Sequence, residues 1–292
     1  MFSLLLAIAT QTLTFLPLAL AIYVSFCILR ATDMTLDGSF VLGAAIFARL
    51  LEAGCSPVIA GCGAIAGGML AGFGVSSIQR GQKIDALLAG VLATFILSSG
   101  NLLVMGRPNI SLLDKTTLLS SFFNTSQTYG WLSVALYSGF FCGATCLLLC
   151  TRYGLILRAF GDNPNLLQRQ GRKIEVYRVC GFALTNGLAA VAGCLTAQTV
   201  GYADIGMGFG VTLTGLGAVI LGRQLLGTII KSKNFHIVSE FLACLVGVMF
   251  YFLAINGLLR LNVNPMYLKM LLGIILVFFL RAAKMGKQES VI

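Results

Sequence analysis

Charge is what this 292-residue chain has least of. Asp, Glu, Lys and Arg make up 10% of it, where a water-soluble domain carries about a quarter. That deficit excludes an ordinary soluble globule. Histidine is reduced to one residue, His236, so no His-built metal centre is available. The nine cysteines form no CxxC pair and lie mostly inside apolar runs, which excludes a zinc site and a disulfide framework. Cys142, Cys146 and Cys150 stripe one helix face at i, i+4, i+8 and read as packing residues. No GxxxxGK[ST] phosphate loop is present, so any ATP chemistry belongs to another subunit. No nucleophile–base pair appears either, and the chain is read as a non-enzyme without catalytic residues, metal or cofactor. The start lacks a basic segment ahead of Leu4, so the first apolar run is expected to be a retained span rather than a cleaved signal.

What is there is apolar. Hydrophobic residues reach 58%, with a mean hydropathy of +0.92. About 20 apolar residues cross a hydrocarbon core of about 30 Å. The length therefore predicts an all-α, polytopic transmembrane bundle of about 8–10 spans with short loops, as one domain over residues 1–292. Apolar runs cover about Leu4–Leu29, Phe40–Leu51 and Pro57–Ile78, followed by a fourth that reaches about Met105 and a fifth that follows Trp131 and ends at Arg152. Others cover about Val179–Val200, Val211–Ile230, Ile237–Leu259 and Met266–Leu280. Nine spans follow. The glycines of the second, third and seventh runs leave room for a broken or re-entrant segment.

The net charge of +10 lies between the runs, as orientation signals do, and does not point to nucleic acid. Placing the basic loop 152–178 in the cytoplasm puts Arg30, Arg80, Lys83, Arg223, Lys231, Lys233 and the tail Arg281, Lys284, Lys287 on the same side. Arg49, Arg107, Lys115, Arg260 and Lys269 remain outside, five of the twenty. The expected arrangement is a multi-pass plasma-membrane protein with N-terminus out, C-terminus in, and its main outer loop at about 106–130. Small-xxx-small spacings at Gly63/Gly67, Gly68/Gly72, Ala183/Gly187 and Ala189/Gly193/Ala197 let helices approach closely in lipid.

Within the loop 152–178, Asn163 is a good N-cap and Pro164 suits a first helical position. Gly171 can take the left-handed conformation that ends a helix. A two-turn helix bearing Leu166 and Leu167 is expected between them, projecting as a docking surface; the bland alternative is a basic loop against lipid headgroups. The run Arg158-Ala-Phe-Gly161-Asp-Asn163, followed by Gly171, resembles the loop by which permease subunits of bacterial ABC importers engage their ATPase. The class is the one that carries branched-chain amino acids and monosaccharides. Asp33-Met-Thr-Leu-Asp-Gly-Ser-Phe40, Asn101–Gly106 with Pro108-Asn109, Thr185–Ala190 and Gly201–Gly210 are similar to a branch associated with tryptophan and tyrosine. The resemblance covers about residues 30–225, and Gly-Asp-Asn-Pro in the loop departs from that branch's usual Ala-Asn or Gly-Asn. It implies ATPase coupling through Arg158, Gly161, Asn163, Pro164, Leu166, Leu167 and Gly171. It also implies a dimer with a second permease copy, a cognate ATP-binding subunit, a substrate-binding protein and alternating access across the bacterial inner membrane.

Several polar residues have two readings each. Asp33 and Asp37 either cap the second span or, with Thr35 and Ser39, line a translocation path at a broken helix. Asn186, mid-span, finds a partner across an interface or stands in the path. Gln198 is assigned to the outer end of the translocation path and Tyr202 and Asp204 to its mouth, with a simple flexible loop as the alternative. His236 and Glu240, at i, i+4, form a local ion pair or cap, or a proton relay. The alternative function is a proton-coupled secondary transporter using these acids. No acid falls at clear mid-depth in the apolar runs, which counts against it.

Overall fold

The computed structural model describes residues 2–79, 86–122, 130–229, 236–264, 267, 270, 273 and 274. Helix α1 (Phe2–Ile22) runs on as a π-helix, Tyr23–Ile28, and a non-helical segment leads to α2 (Leu36–Glu52). Then come α3 (Pro57–Ile78), α4 (Ala86–Met105), β1 (Asn109–Ser111), α5 (Leu118–Phe122) and α6 (Gly130–Cys150). The helices α7 (Arg152–Asp162) and α8 (Pro164–Arg169) form an elbow before α9 (Ile174–Val200). After β2 (Tyr202–Asp204) and a 3₁₀ turn, α10 (Val211–Ile229) and α11 (His236–Arg260) follow. β1 and β2 pair antiparallel, Ile110 opposite Ala203.

Among the described residues, seven helices are long and apolar enough to cross a membrane, and the chain is a helical, multi-pass membrane protein. The count differs from nine for two reasons. The expected ninth span, 266–280, lies almost wholly outside the described residues, as does the basic tail. The second run is only the 17-residue α2, about 25 Å long at 1.5 Å per residue. It starts beside Asn186, halfway along the 27-residue α9, and covers only part of the bundle's depth. The glycine-rich third run is an unbroken helix instead. The breaks fall at 29–35 and at 201–210, where the chain turns back into the bundle.

Among the described residues, Arg30, Arg178 and Arg223 gather at one end of the bundle, as the charge pattern predicts. Arg30 meets Asp162 (2.6 Å), Arg178 donates to the Gln79 carbonyl (3.1 Å), and Arg223 meets Glu240 (2.8 Å), all at the end carrying α7 and α8. At the opposite end Glu52 joins Arg49 and Arg107. We refer to these as the basic and the opposite end.

Helix α9 is the centre post. It packs on α1, α2 and α3, and the small residues set the spacing. A Cβ on Gly43 or Gly193 would overlap the backbone at Ala190 or Phe40, and one on Gly72 would overlap Phe182. Backbones therefore touch, and dispersion between them replaces the hydrophobic force that lipid does not supply. Around this post, one core joins α1, α6, α7 and α9–α11 through Leu16, Leu149, Leu157, Leu188, Ala218 and Val248. A second, nearer the opposite end, joins α2, α4 and the hairpin through Phe47, Met105, Ile110 and Ala203.

Candidate functional site: a buried polar junction and a basic elbow

The segment 29–35 carries polar residues into the bundle. Asp33, Thr35, Ser39 and Asn186 are all fully buried. Asn186 Nδ2 donates to Asp33 Oδ2 (2.9 Å) and to its own Phe182 carbonyl (3.0 Å). Its Oδ1 accepts from Ser39 Oγ (2.6 Å) and lies 3.1 Å from the Thr35 hydroxyl. Asp33 Oδ1 accepts from the Thr35 N–H (2.9 Å) and from the Thr35 hydroxyl. Three donors thus surround one carboxylate, which is how a buried acid is made tolerable. Because Asn186 uses both ends of its amide, its orientation is defined by the network. On the other side of the segment, Thr94 of α4 donates to the Met34 carbonyl (3.0 Å), and Asn101 Nδ2 donates to Gly38 O (3.0 Å). Asn101 Oδ1 is buried and unpaired.

Asp37 does something different. Its carboxylate accepts from Gly210 N–H (3.1 Å), Thr212 N–H (2.6 Å) and Thr212 Oγ (2.6 Å). It caps α10 from a neighbouring helix, satisfying donors that a helix start leaves orphaned. Helix α2 begins at Thr35 with no side-chain cap. Of the four residues grouped at this break by sequence, Asp33, Thr35 and Ser39 meet Asn186, and Asp37 ties α2 to α10. The premise that no acid stands at mid-depth is corrected: Asp33 sits against the middle of α9. The break hid this, since a residue between apolar runs reads as a loop.

Gln198 lies apart from this junction. It accepts from Leu119 N–H (3.3 Å) and donates to Cys194 O (3.2 Å), holding α5 to the opposite end of α9. Tyr202 and Asp204 are on β2. Asp204 accepts from Gly206 N–H (2.7 Å) and Asn109 Nδ2 (3.3 Å), which makes 201–210 an ordered turn. Glu240 pairs with Arg223 rather than locally, and the side chain of His236 and residues 231 and 233 fall outside the described residues.

At the basic end, Asn163 Oδ1 accepts from Leu166 N–H (3.3 Å), Pro164 opens α8, and Gly171 has φ +75°. Both the cap and the stop read from sequence are present. The faces differ from a simple outward surface. Leu166 is exposed, whereas Leu167 is buried in the core. Arg158 donates to the Leu149 carbonyl (3.0 Å), closing the end of α6. Gly161 faces inward, against Ile28. The rings of Tyr153 and Tyr177 lie 6.2 Å apart between α7 and α9. Burial, with Cys180 and Tyr177 adding to it, pushes the Tyr153 phenol above its usual range, so it stays neutral. Sequence reasoning missed the Arg30–Asp162 pair and the inward turn of Gly161. The spacing Gly154, Leu157, Phe160 and Gly161 is one helical face and contained that signal.

A cavity of about 420 Å³ lies between α3, α6 and α9, walled by residues such as Val58, Ile65, Tyr137, Phe141 and Val191. None of its lining residues is acidic or basic. It offers nothing to the charged ends of a zwitterion and is separate from the polar junction.

Known proteins match this architecture. The family profile described as branched-chain amino acid transport system / permease component matches residues 4–280. A tyrosine transport system permease protein of Clostridioides difficile is 32% identical, covering 96% of this chain and 91% of its own. An uncharacterized protein of Rickettsia prowazekii is 44% identical over 94% and 95% of the two chains. The autoinducer 2 import system permease protein LsrC of Escherichia coli is 28% identical, over 66% of this chain and 56% of that one. Among solved structures, a chain of an inward-facing metal-chelate-type ABC transporter shares the fold, with a TM-score of 0.51 at 17% identity, over 96% and 84% of the chains. The chain belongs to the branched-chain amino acid permease family of ABC importer components.

Proposed function

We propose that this permease is the membrane-spanning half of an ATP-driven importer for an amino acid, with aromatic amino acids as the first class to test. The α7–α8 elbow carries the reading. It is a sharply capped pair of helices with Leu166 exposed and Arg169, Arg172 and Lys173 around it, at the end where the basic residues gather. Supporting it are the family and the similarity to a tyrosine permease along nearly the whole chain. In this reading the basic end is cytoplasmic and receives a cognate ATP-binding subunit. The C-terminus is cytoplasmic too, and the β1–β2 end faces a substrate-binding protein. Two copies of the permease, paired in the bacterial inner membrane, alternate between inward- and outward-open forms. The Asp33–Asn186 junction stands beside the translocation path.

One observation favours a second reading. A carboxylate at mid-depth, Asp33, is what a proton-coupled transporter would use. Reconstitution separates the two. The permease, alone and with its ATPase and binding protein, is placed in liposomes and uptake of radiolabelled L-tyrosine is followed. Uptake that needs ATP and all partners supports the importer. Uptake by the permease alone under a pH gradient overturns it.

A further inference from the structure

The stretch between α1 and α2 is built unlike the rest of the bundle. Helix α1 widens into a π-helix, in which Leu29 N–H reaches the Val24 carbonyl at 2.8 Å. Arg30 follows at φ +51°, a conformation that a residue with a side chain keeps only when its surroundings hold it. π-Turns inside helices concentrate at functional sites.

The elbow sits directly on this turn. A Cβ on Gly161 would overlap the Ile28 carbonyl oxygen and lie 3.2 Å from the Leu29 carbonyl carbon, so α7 and the π-helix touch backbone to backbone. Phe160 packs in one core cluster with Ile28 and Leu29. The next residue, Asp162, holds Arg30 at 2.6 Å. The π-helix is gripped from α10 as well, where Arg223 donates to Cys27 Sγ (3.2 Å) and binds Glu240. Any shift of α7 relative to α10 therefore acts on the turn between them.

Beyond Arg30 the route runs through non-helical chain. Residues 31–35 are held by Ala31 N–H on Ser25 O (3.0 Å), Asp33 N–H on Ala31 O (3.0 Å), the side-chain contacts of Asp33, and the Thr94 hydroxyl on the Met34 carbonyl (3.0 Å). Asn186, on the other side of the junction, is fixed differently. It stands in a continuous helix locked to α2 and α3 by backbone contact at Gly43, Gly72 and Gly193. One partner of the Asp33–Asn186 contact is on a post and the other on a short non-helical lead from the elbow.

We infer that Gly161 and Asp162 are positioning residues for transport, through which movement of the elbow displaces segment 29–35 and remakes the Asp33–Asn186 contact. The inference rests on the elbow receiving the ATPase and goes beyond it. Leu166 is the outward residue that would meet the partner, while Gly161 and Asp162 face the other way and transmit.

Hydrogen–deuterium exchange on the full permease with its ATPase in nanodiscs tests this without knowing the substrate. Backbone amides of 31–35 are compared with and without ATP plus vanadate. The wild-type complex is expected to show a nucleotide-dependent change there. In Gly161→Ala that change is expected to fall by about fivefold or more. Because Gly161→Ala risks the fold, the ion pair supplies a second arm. Arg30→Asp is expected to lower the change by about two- to fivefold, the range of an exposed pair, and adding Asp162→Arg to restore it. An unaltered change in Gly161→Ala and in Arg30→Asp overturns the inference, and so does a wild-type complex with no change at 31–35. Failure of the elbow reading looks different. There, Leu166→Asp would leave ATPase association intact.

Discussion

Asn186 on α9 donates to Asp33 Oδ2 at 2.9 Å across 153 residues of sequence, and both side chains are fully buried. The amide is the only described group that reaches Asp33, Ser39 and the Thr35 hydroxyl at once. Removing it leaves a buried carboxylate oxygen and a buried hydroxyl without this partner, at about 1–3 kcal/mol for each unpaired group. Asn186→Leu is therefore expected to lower the thermal unfolding midpoint of the detergent-solubilised permease. Asn186→Asp should lower it further, since two carboxylates would then face each other. Midpoints equal to wild type for both variants would refute the assigned network.

Close backbone approach predicts a contrast between glycines on helices of similar composition. Gly193 meets the Phe40 carbonyl with no space for a methyl group, whereas Gly74 has nothing within 4 Å. Gly193→Ala is expected to destabilise by about 1–3 kcal/mol or more, because backbone cannot move aside as a side chain can. Gly74→Ala should be neutral or stabilising by about 0.5–1 kcal/mol through helix propensity. Melting curves of the two variants check this, and equal effects would contradict the packing.

How much of this was legible in the residues themselves depends on the range of the interaction. Asn163, Pro164 and Gly171 define α8 through neighbours one to three positions away, so cap and stop could be read directly. Most of the spans and the packing role of Gly72 and Gly193 follow from composition and spacing along single helices. The start of α2 could not be read the same way. A hydropathy run counts apolar residues and does not register that the chain re-enters at 31–35. Nor does it register that the partner of Asp37 is an α10 terminus 173 to 175 positions away. Family resemblance assigned Gly161 and Leu167 to a docking surface, but only the three-dimensional arrangement shows that both face inward.

The Asp37 cap carries its own prediction. Three donors from Gly210 and Thr212 converge on this carboxylate, and removing a cap costs about 0.5–2 kcal/mol. Asp37→Ala is expected to speed amide exchange in the first turn of α10, with little change at the far end of that helix. Asp37→Asn should fall between, since its oxygen can still accept while its NH₂ faces a donor. Uniform exchange along α10 in all three proteins would show that the cap does not hold the helix start.

The opposite end of the bundle offers an ion cluster that looks stronger than it should be. Glu52 lies 2.8 Å from Arg49 and 2.6 Å from Arg107, but the arginine side chains are more than half exposed. Solvent screens such pairs to about 0–1 kcal/mol each, and salt weakens them further because the screening length is about 8 Å at physiological ionic strength. Glu52→Gln should thus shift the unfolding midpoint only slightly at low salt and not measurably in concentrated salt. The same variant separates structure from docking. If Glu52 belongs to a surface that receives a binding protein, association will weaken while the midpoint holds. A large loss of stability at any ionic strength would mean that this cluster is more enclosed in the membrane than its exposure indicates.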